Sequence, residues 1–134
     1  MKVQEFMTTK IESIDADGSV YDAVERMVDK RIRSLLVKLP GKDKENGVIT
    51  ARDVVFKVLA KGLDPKKTKA SEIASKPIVC IDKKTDFKEV ARIMEESKIA
   101  RVFIYEDEKI IGVVALLDVM AAELIMRARG DHVF

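Results

Sequence analysis

The chain is a duplication. Slid along itself by 67 residues, the distance from Met27 to Met94, it brings Glu5-Phe6 onto Glu72-Ile73, and Ile11, Ile14 and Asp15 onto Ile78, Ile81 and Asp82. Ile32 likewise meets Ile99. Beyond Val37 and Ile104 the shift falls to 65, because the first turn is two residues longer; Gly47-Val48 and Asp53-Val54 then fall on Gly112-Val113 and Asp118-Val119. Self-similarity at a fixed shift constrains the fold more than any single motif, since whatever one copy folds into the other must repeat.

Each copy reads as strand, helix, strand, strand, helix. Ile11–Ile14 and Ile78–Ile81 are short β-branched runs, which favour strands. Val20, Val24, Met27 and Val28 recur at helical spacing, as do Phe87, Val90, Ala91 and Met94, with Ser19 and Asp86 before them as N-caps. Leu35–Lys38 and Val102–Tyr105 are second strands; turns at residues 40–43 and 107–109 lead to third strands at Gly47–Thr50 and Ile110–Ala115. Final helices run from Ala51 to Ala60 and from Leu116 to Arg129, with Gly62 and Gly130 as stops. The expected boundaries are residues 1–62 for the first motif, 63–69 for a linker, 70–129 for the second motif and 130–134 for a tail. A copy this small struggles to build its own core. The expected fold is therefore α/β (α+β): two tandem β-α-β-β-α motifs packed sheet to sheet with pseudo-two-fold symmetry.

Composition closes off other classes. Of 134 residues, 47% are hydrophobic, enough for a core, while 25 Lys and Arg against 23 Asp and Glu leave a net charge of +2. That balance gives no global drive toward nucleic acid or membrane. A single cysteine excludes an internal disulfide. No apolar run approaches the ~18–20 residues of a membrane span, and no apolar stretch follows the start as in a signal peptide; a cytoplasmic location is expected. The chain offers no catalytic group. Its one histidine, His132, sits in the polar tail, and Cys80, between Val79 and Ile81, is expected to be buried and unreactive. No His/Cys cluster suits a metal, and Gly41-Lys42 lacks the glycine five residues earlier that a P-loop needs, Leu36 standing there. Met120, Leu124 and Met126 are expected in the core or at a dimer seam.

The run Gly47-Val48-Ile49-Thr50-Ala51-Arg52-Asp53 resembles the Gly-h-h-Thr/Ser-x-x-Asp signature of CBS domains, h being apolar. Gly112-Val113-Val114-Ala115-Leu116-Leu117-Asp118 is similar, with Ala115 in place of the hydroxyl residue. Residues 33–37 and 101–104 look like the preceding strand of that family, and Val3–Met7 and Ala70–Ala74 like its short lead-in segment. The resemblance covers residues 3 to 128 and implies a regulatory pair without enzymatic activity. Such pairs bind adenosine-containing ligands (AMP, ADP, ATP or S-adenosylmethionine) in two symmetry-related clefts, and many dimerise through their helices. No further cofactor is implied, and the regulated protein partner is not named by the sequence.

At the first signature a strand ends and a helix begins, where unsatisfied N–H groups and the positive end of the helix dipole suit a phosphate. The Thr50 hydroxyl adds a donor, Arg52 adds charge, and an ionised Asp53 has only acceptors to offer a ribose diol. The same Thr-x-x-Asp pattern is also a capping box, in which Thr50 and Asp53 turn to the backbone; the two roles are partly compatible. The resemblance implies a wall from the other copy, Ile78 and Val79 with Ile99 and Ala100, and places Arg101 beside it. The second cleft would use Asp118 with Ile11, Glu12, Ile32 and Arg33. There Ala115 and Leu117 replace Thr50 and Arg52, and one lost hydrogen bond to a charged group weakens binding by ~10–100-fold. The second site is expected to be the weaker. Two alternatives stay open: a structural or protein-interaction module with vacant clefts, and nucleic-acid binding through the lysines between Lys61 and Lys69.

Overall fold

A computed structural model describes residues 1–131, so His132 and the end of the expected tail lie outside the described residues. The chain forms two compact units that cut across the repeat: residues 11–78 make the first, and residues 1–10 with residue 79 onward make the second. The fold is mixed α+β, with a three-stranded sheet in each unit.

In the first unit the elements are β1 (Ser13–Asp15), α1 (Val20–Lys30), β2 (Ser34–Lys38), β3 (Gly47–Thr50), α2 (Ala51–Val54) and α3 (Ala70–Ile73). Strand β2 carries Leu35, Leu36 and Val37, all buried, and an unbroken apolar run of this length suits a strand covered on both faces. It lies between β1, which is parallel to it, and β3, which is antiparallel. A parallel pair needs a crossover, and α1 supplies it. Its Val20, Ala23 and Met27 pack with Ile14, Leu35, Val37 and Ile49 in one core. Ser19 caps the helix, accepting from the Asp22 N–H at 3.0 Å.

The second unit repeats this with β4 (Cys80–Asp82), α4 (Phe87–Ser97), β5 (Arg101–Glu106), β6 (Lys109–Ala115) and α5 (Leu116–Arg129). Val90 and Met94 of α4 pack with Val102, Ile104 and Val114. Helices α1 and α4 even end alike, on left-handed residues Arg31 (φ 55°) and Lys98 (φ 53°).

Several local expectations are corrected. The first strand of each copy begins two residues later than its β-branched run, at Ser13 and Cys80, where regular pairing with the next strand begins. Cys80 opens β4 and is only partly buried. Asp86 holds the N-cap position of α4, but its carboxylate faces the Met1 amino group at 3.4 Å instead of capping. The final helix of the first copy is α-helical only over Ala51–Val54 and continues as a π-helical turn over Val55–Leu59. The Ala60 N–H closes that turn on the Val55 carbonyl at 2.8 Å. The apolar set near the C-terminus, expected in the core or at a dimer seam, divides without overturning that expectation: Met126 is buried, whereas Met120 and Leu124 are 62% and 73% exposed. Among the described residues no helix is long and apolar enough to cross a membrane.

The units cut across the repeat because each copy's lead-in segment docks on the other copy. In the first unit the N–H groups of Val20 and Tyr21, which open α1 and have no partner inside the helix, donate to the carbonyls of Thr68 (2.8 Å) and Pro65 (3.0 Å). The backbone of the expected linker is thus tied down, while Leu63, Asp64 and its lysine side chains are left in solvent. The Ala70 N–H then donates to Gly18 O (2.7 Å), and Ser75 forms a two-way bridge with Val48 of β3 (2.8 and 2.9 Å). In the second unit the same bonds recur with residues 1–8: Phe87 N–H to Met1 O (2.9 Å), Val3 N–H to Thr85 O (2.8 Å), and Thr8 with Val113 of β6 (2.9 Å each way).

This docking accounts for the glycine of the signature. A Cβ on Gly47 would stand 3.1 Å from Ala74 Cβ and 3.2 Å from Ser75 O, and one on Gly112 would stand 2.5 Å from Met7 Sδ and 3.2 Å from Thr8 O. Gly47→Val should therefore lose about 1–3 kcal/mol of stability in urea unfolding, by forcing the lead-in segment off β3. An unchanged midpoint would show that the segment yields without cost.

Candidate functional site

The signature residues meet at the junction of β3 and α2. Thr50 is extended (φ −117°, ψ 162°) and Ala51 begins the helix. The Asp53 N–H donates to Thr50 Oγ1 at 3.0 Å, and the Thr50 N–H donates back to Asp53 Oδ2 at 3.0 Å. Both halves of the capping box are thus formed. The Ala51 N–H is also used, by the Arg33 carbonyl at 2.9 Å. Of the amides expected to meet a phosphate, those of Ala51 and Asp53 are therefore already engaged within the chain. The Thr50 hydroxyl accepts from Asp53 and keeps its own proton for donation.

Asp53 has further partners. Its Oδ1 lies 3.0 Å from Lys57 Nζ and accepts from Ser75 Oγ at 3.5 Å, with the Asp53 side chain 11% exposed. Lys57 Nζ also donates to the Ile73 carbonyl at 3.0 Å and to Ser75 Oγ at 3.5 Å. The docked lead-in segment therefore forms one side of the site. The sequence reading missed Lys57 and Ser75. Lys57 was detectable, because an acid four residues before a lysine on a helix is a pairing signal. Ser75 had no local signal, since its place depends on tertiary docking.

Arg52 is exposed, with its guanidinium 4.7 Å from the centroid of the Phe56 ring on the next turn. That cation–π contact holds it along its own helix. Of the expected wall, Ile78 is buried in the same unit as Asp53, whereas Val79, Ile99, Ala100 and Arg101 belong to the second unit. Within that unit Val79 and Ile99 pack on the core, and Ala100 accepts from the Leu116 N–H at 3.2 Å.

The second signature forms half of the same device. The Ala115 N–H donates to Asp118 Oδ2 at 2.8 Å, but Ala115 has no acceptor for the Asp118 N–H. Ala122 stands where the first copy has Lys57 and is fully buried, and exposed Leu117 replaces Arg52. Of the residues expected opposite Asp118, Ile11, Glu12, Ile32 and Arg33 all lie in the first unit. There Ile32 packs on the core and Glu12 lies 3.8 Å from Lys30 Nζ.

A separate open depression of about 750 Å³ is lined by Ser13, Asp15, Asp22, Glu25, Arg26 and neighbouring residues, with none of the expected site residues in its lining. Among the described residues no group of three or more His, Cys, Asp or Glu side chains could hold a metal ion. Because the backbones of Ala115 (φ −106°, ψ 172°) and Thr50 nearly coincide, Ala115→Thr should complete the second box. It should add about 1 kcal/mol in thermal or urea unfolding, with Thr50→Ala losing a similar amount. No gain from Ala115→Thr would mean that the Asp118 N–H is already satisfied.

The sequence matches the CBS domain twice, over residues 3–60 and 70–125. It is 35% identical over 115 residues to an uncharacterized protein of Methanocaldococcus jannaschii, a span of 84% of this chain and 62% of that relative. In structure it is similar to the hexameric CBS-CP12 protein of bloom-forming cyanobacteria, with a TM-score of 0.82 and 28% identity over 98% of this chain and 80% of that one. An uncharacterized conserved protein from Pyrococcus horikoshii gives 0.81 and 27%, covering 91% of each chain. With two signatures in register, each at a strand-to-helix junction beneath a docked lead-in segment, the chain belongs to the CBS domain family and carries two such domains in tandem.

Proposed function

We propose that this CBS pair is a regulatory module without catalytic activity that recognises an adenosine-containing ligand: AMP, ADP, ATP or S-adenosylmethionine. The observation that carries this reading is the setting of Asp53. Its carboxylate is fixed by the cap at one oxygen and by Lys57 and Ser75 at the other, at the position where the family signature places its acid. A carboxylate has about four lone-pair directions, so the capping bond still leaves acceptor capacity for a ribose diol. Thr50 and Arg52 flank it as phosphate donors, and Ile78 is an apolar residue of the same unit. Asp118 anchors the weaker site, since Ala115 and Leu117 remove a hydroxyl and a cation.

A ligand that binds only the folded state must raise the melting temperature. With millimolar AMP, ADP, ATP or S-adenosylmethionine, a rise of several degrees is expected for at least one. It should be lost in Asp53→Ala and largely kept in Asp118→Ala. A shift that survives Asp53→Ala would move the site elsewhere, and no shift with any of the four would refute the reading.

Self-association belongs to the same proposal, and α5 supports it. Leu117, Met120 and Leu124 follow one another at helical spacing and are 72%, 62% and 73% exposed. Such a stripe on a helix that already buries Ala122 and Met126 on its other side suits packing against a second copy. Light scattering should give a mass of twice 15.1 kDa for the wild type and one chain for Leu117→Glu/Leu124→Glu. A mass unaffected by the double substitution would rule this helix out as the seam.

A further inference from the structure

We propose that Lys57 sets the ligand affinity of the first site by occupying Asp53, so that a ribose hydroxyl must take Oδ1 from an ammonium already in place. This rests on the reading of Asp53 as the ribose acceptor. Three observations support it.

The first is the contact itself, 3.0 Å from Nζ to Oδ1, on a carboxylate whose other oxygen is committed to the Thr50 N–H. The second is that the ammonium is held in position. It donates to the Ile73 carbonyl at 3.0 Å and lies 3.5 Å from Ser75 Oγ, so it is anchored to the docked lead-in segment and not swinging in solvent. The third is the local backbone. Lys57 sits at the middle of the π-helical turn Val55–Leu59, and such turns are frequent at functional sites. The equivalent stretch of α5 is regular and has Ala122 in place of Lys57. The duplicated fold therefore forms without a lysine or a π turn at this point, and both features belong to the first site alone.

A ribose diol donates to a carboxylate, as does the ammonium, so the two compete for Oδ1. Adenosine is the discriminating probe. It carries the diol but no phosphate, so removing a positive charge cannot alter its binding through attraction to phosphate. By calorimetry, Lys57→Met should bind adenosine about three- to fivefold more tightly than the wild type, the range expected for release of a part-exposed ion pair. Lys57→Gln should fall between the two. In an Asp53→Asn background, Lys57→Met should change adenosine binding by less than about 1.5-fold, because no carboxylate remains to compete for. A lysine that only braces the lead-in segment would instead leave affinity unchanged or weaken it in both backgrounds, and that result overturns the inference while leaving the ribose reading intact. If neither wild type nor Lys57→Met binds adenosine, AMP, ADP, ATP or S-adenosylmethionine, the ribose reading fails and this inference with it.

Discussion

The docking of each copy's lead-in segment onto the other copy is the constraint on which the rest of the structure depends. A three-stranded sheet with one crossover helix leaves the first amides of that helix and the outer edge of its last strand without partners. In the first unit residues 65–75 supply both, and in the second unit residues 1–8 do so. Apart from the Tyr21–Pro65 bond, which belongs to the first unit alone, these bonds recur in the second unit shifted by the repeat. Neither copy completes its own unit, so the duplication is required by the fold and is not merely a tandem addition.

That docking also builds the site. The signature glycine leaves room for the crossing segment, which delivers Ser75 and the Ile73 carbonyl to the end of β3, where Thr50 and Asp53 are capping α2. Capping and ligand recognition are often set against each other as readings of Thr-x-x-Asp. Here the cap is formed, and it gives the carboxylate a fixed orientation. Oδ2 holds the Thr50 N–H and Oδ1 holds Lys57 and Ser75, and the acceptor capacity that remains points from a side chain that cannot easily rotate.

The two copies share this frame but not its chemistry. Thr50, Arg52 and Lys57 become Ala115, Leu117 and Ala122, and the π turn of the first copy has no counterpart in α5. Much of the asymmetry was legible in the sequence, because it lies in side-chain identity at aligned positions. The central strands were equally legible, since Leu35–Val37 and Val102–Ile104 are unbroken apolar runs. The start of the first strands was not, because β-branched composition does not say where pairing with a strand beyond the crossover helix begins. The partners of Asp86 and Ser75 were not either, since residues far along the chain supply them.

By itself, the sequence determined the duplication, the order of strands and helices in each copy, the family signature and the Thr-x-x-Asp spacing that permits a reciprocal box at Thr50 and Asp53. All of these are carried by periodicity or by contacts within four residues. Only the tertiary structure decided which segment completes which sheet, why the signature begins with glycine, and that the Ile73 carbonyl and Ser75 hold Lys57 at Asp53. Those outcomes depend on backbone approach between residues far apart in the chain and on a π turn whose hydrogen bonds no local pattern encodes.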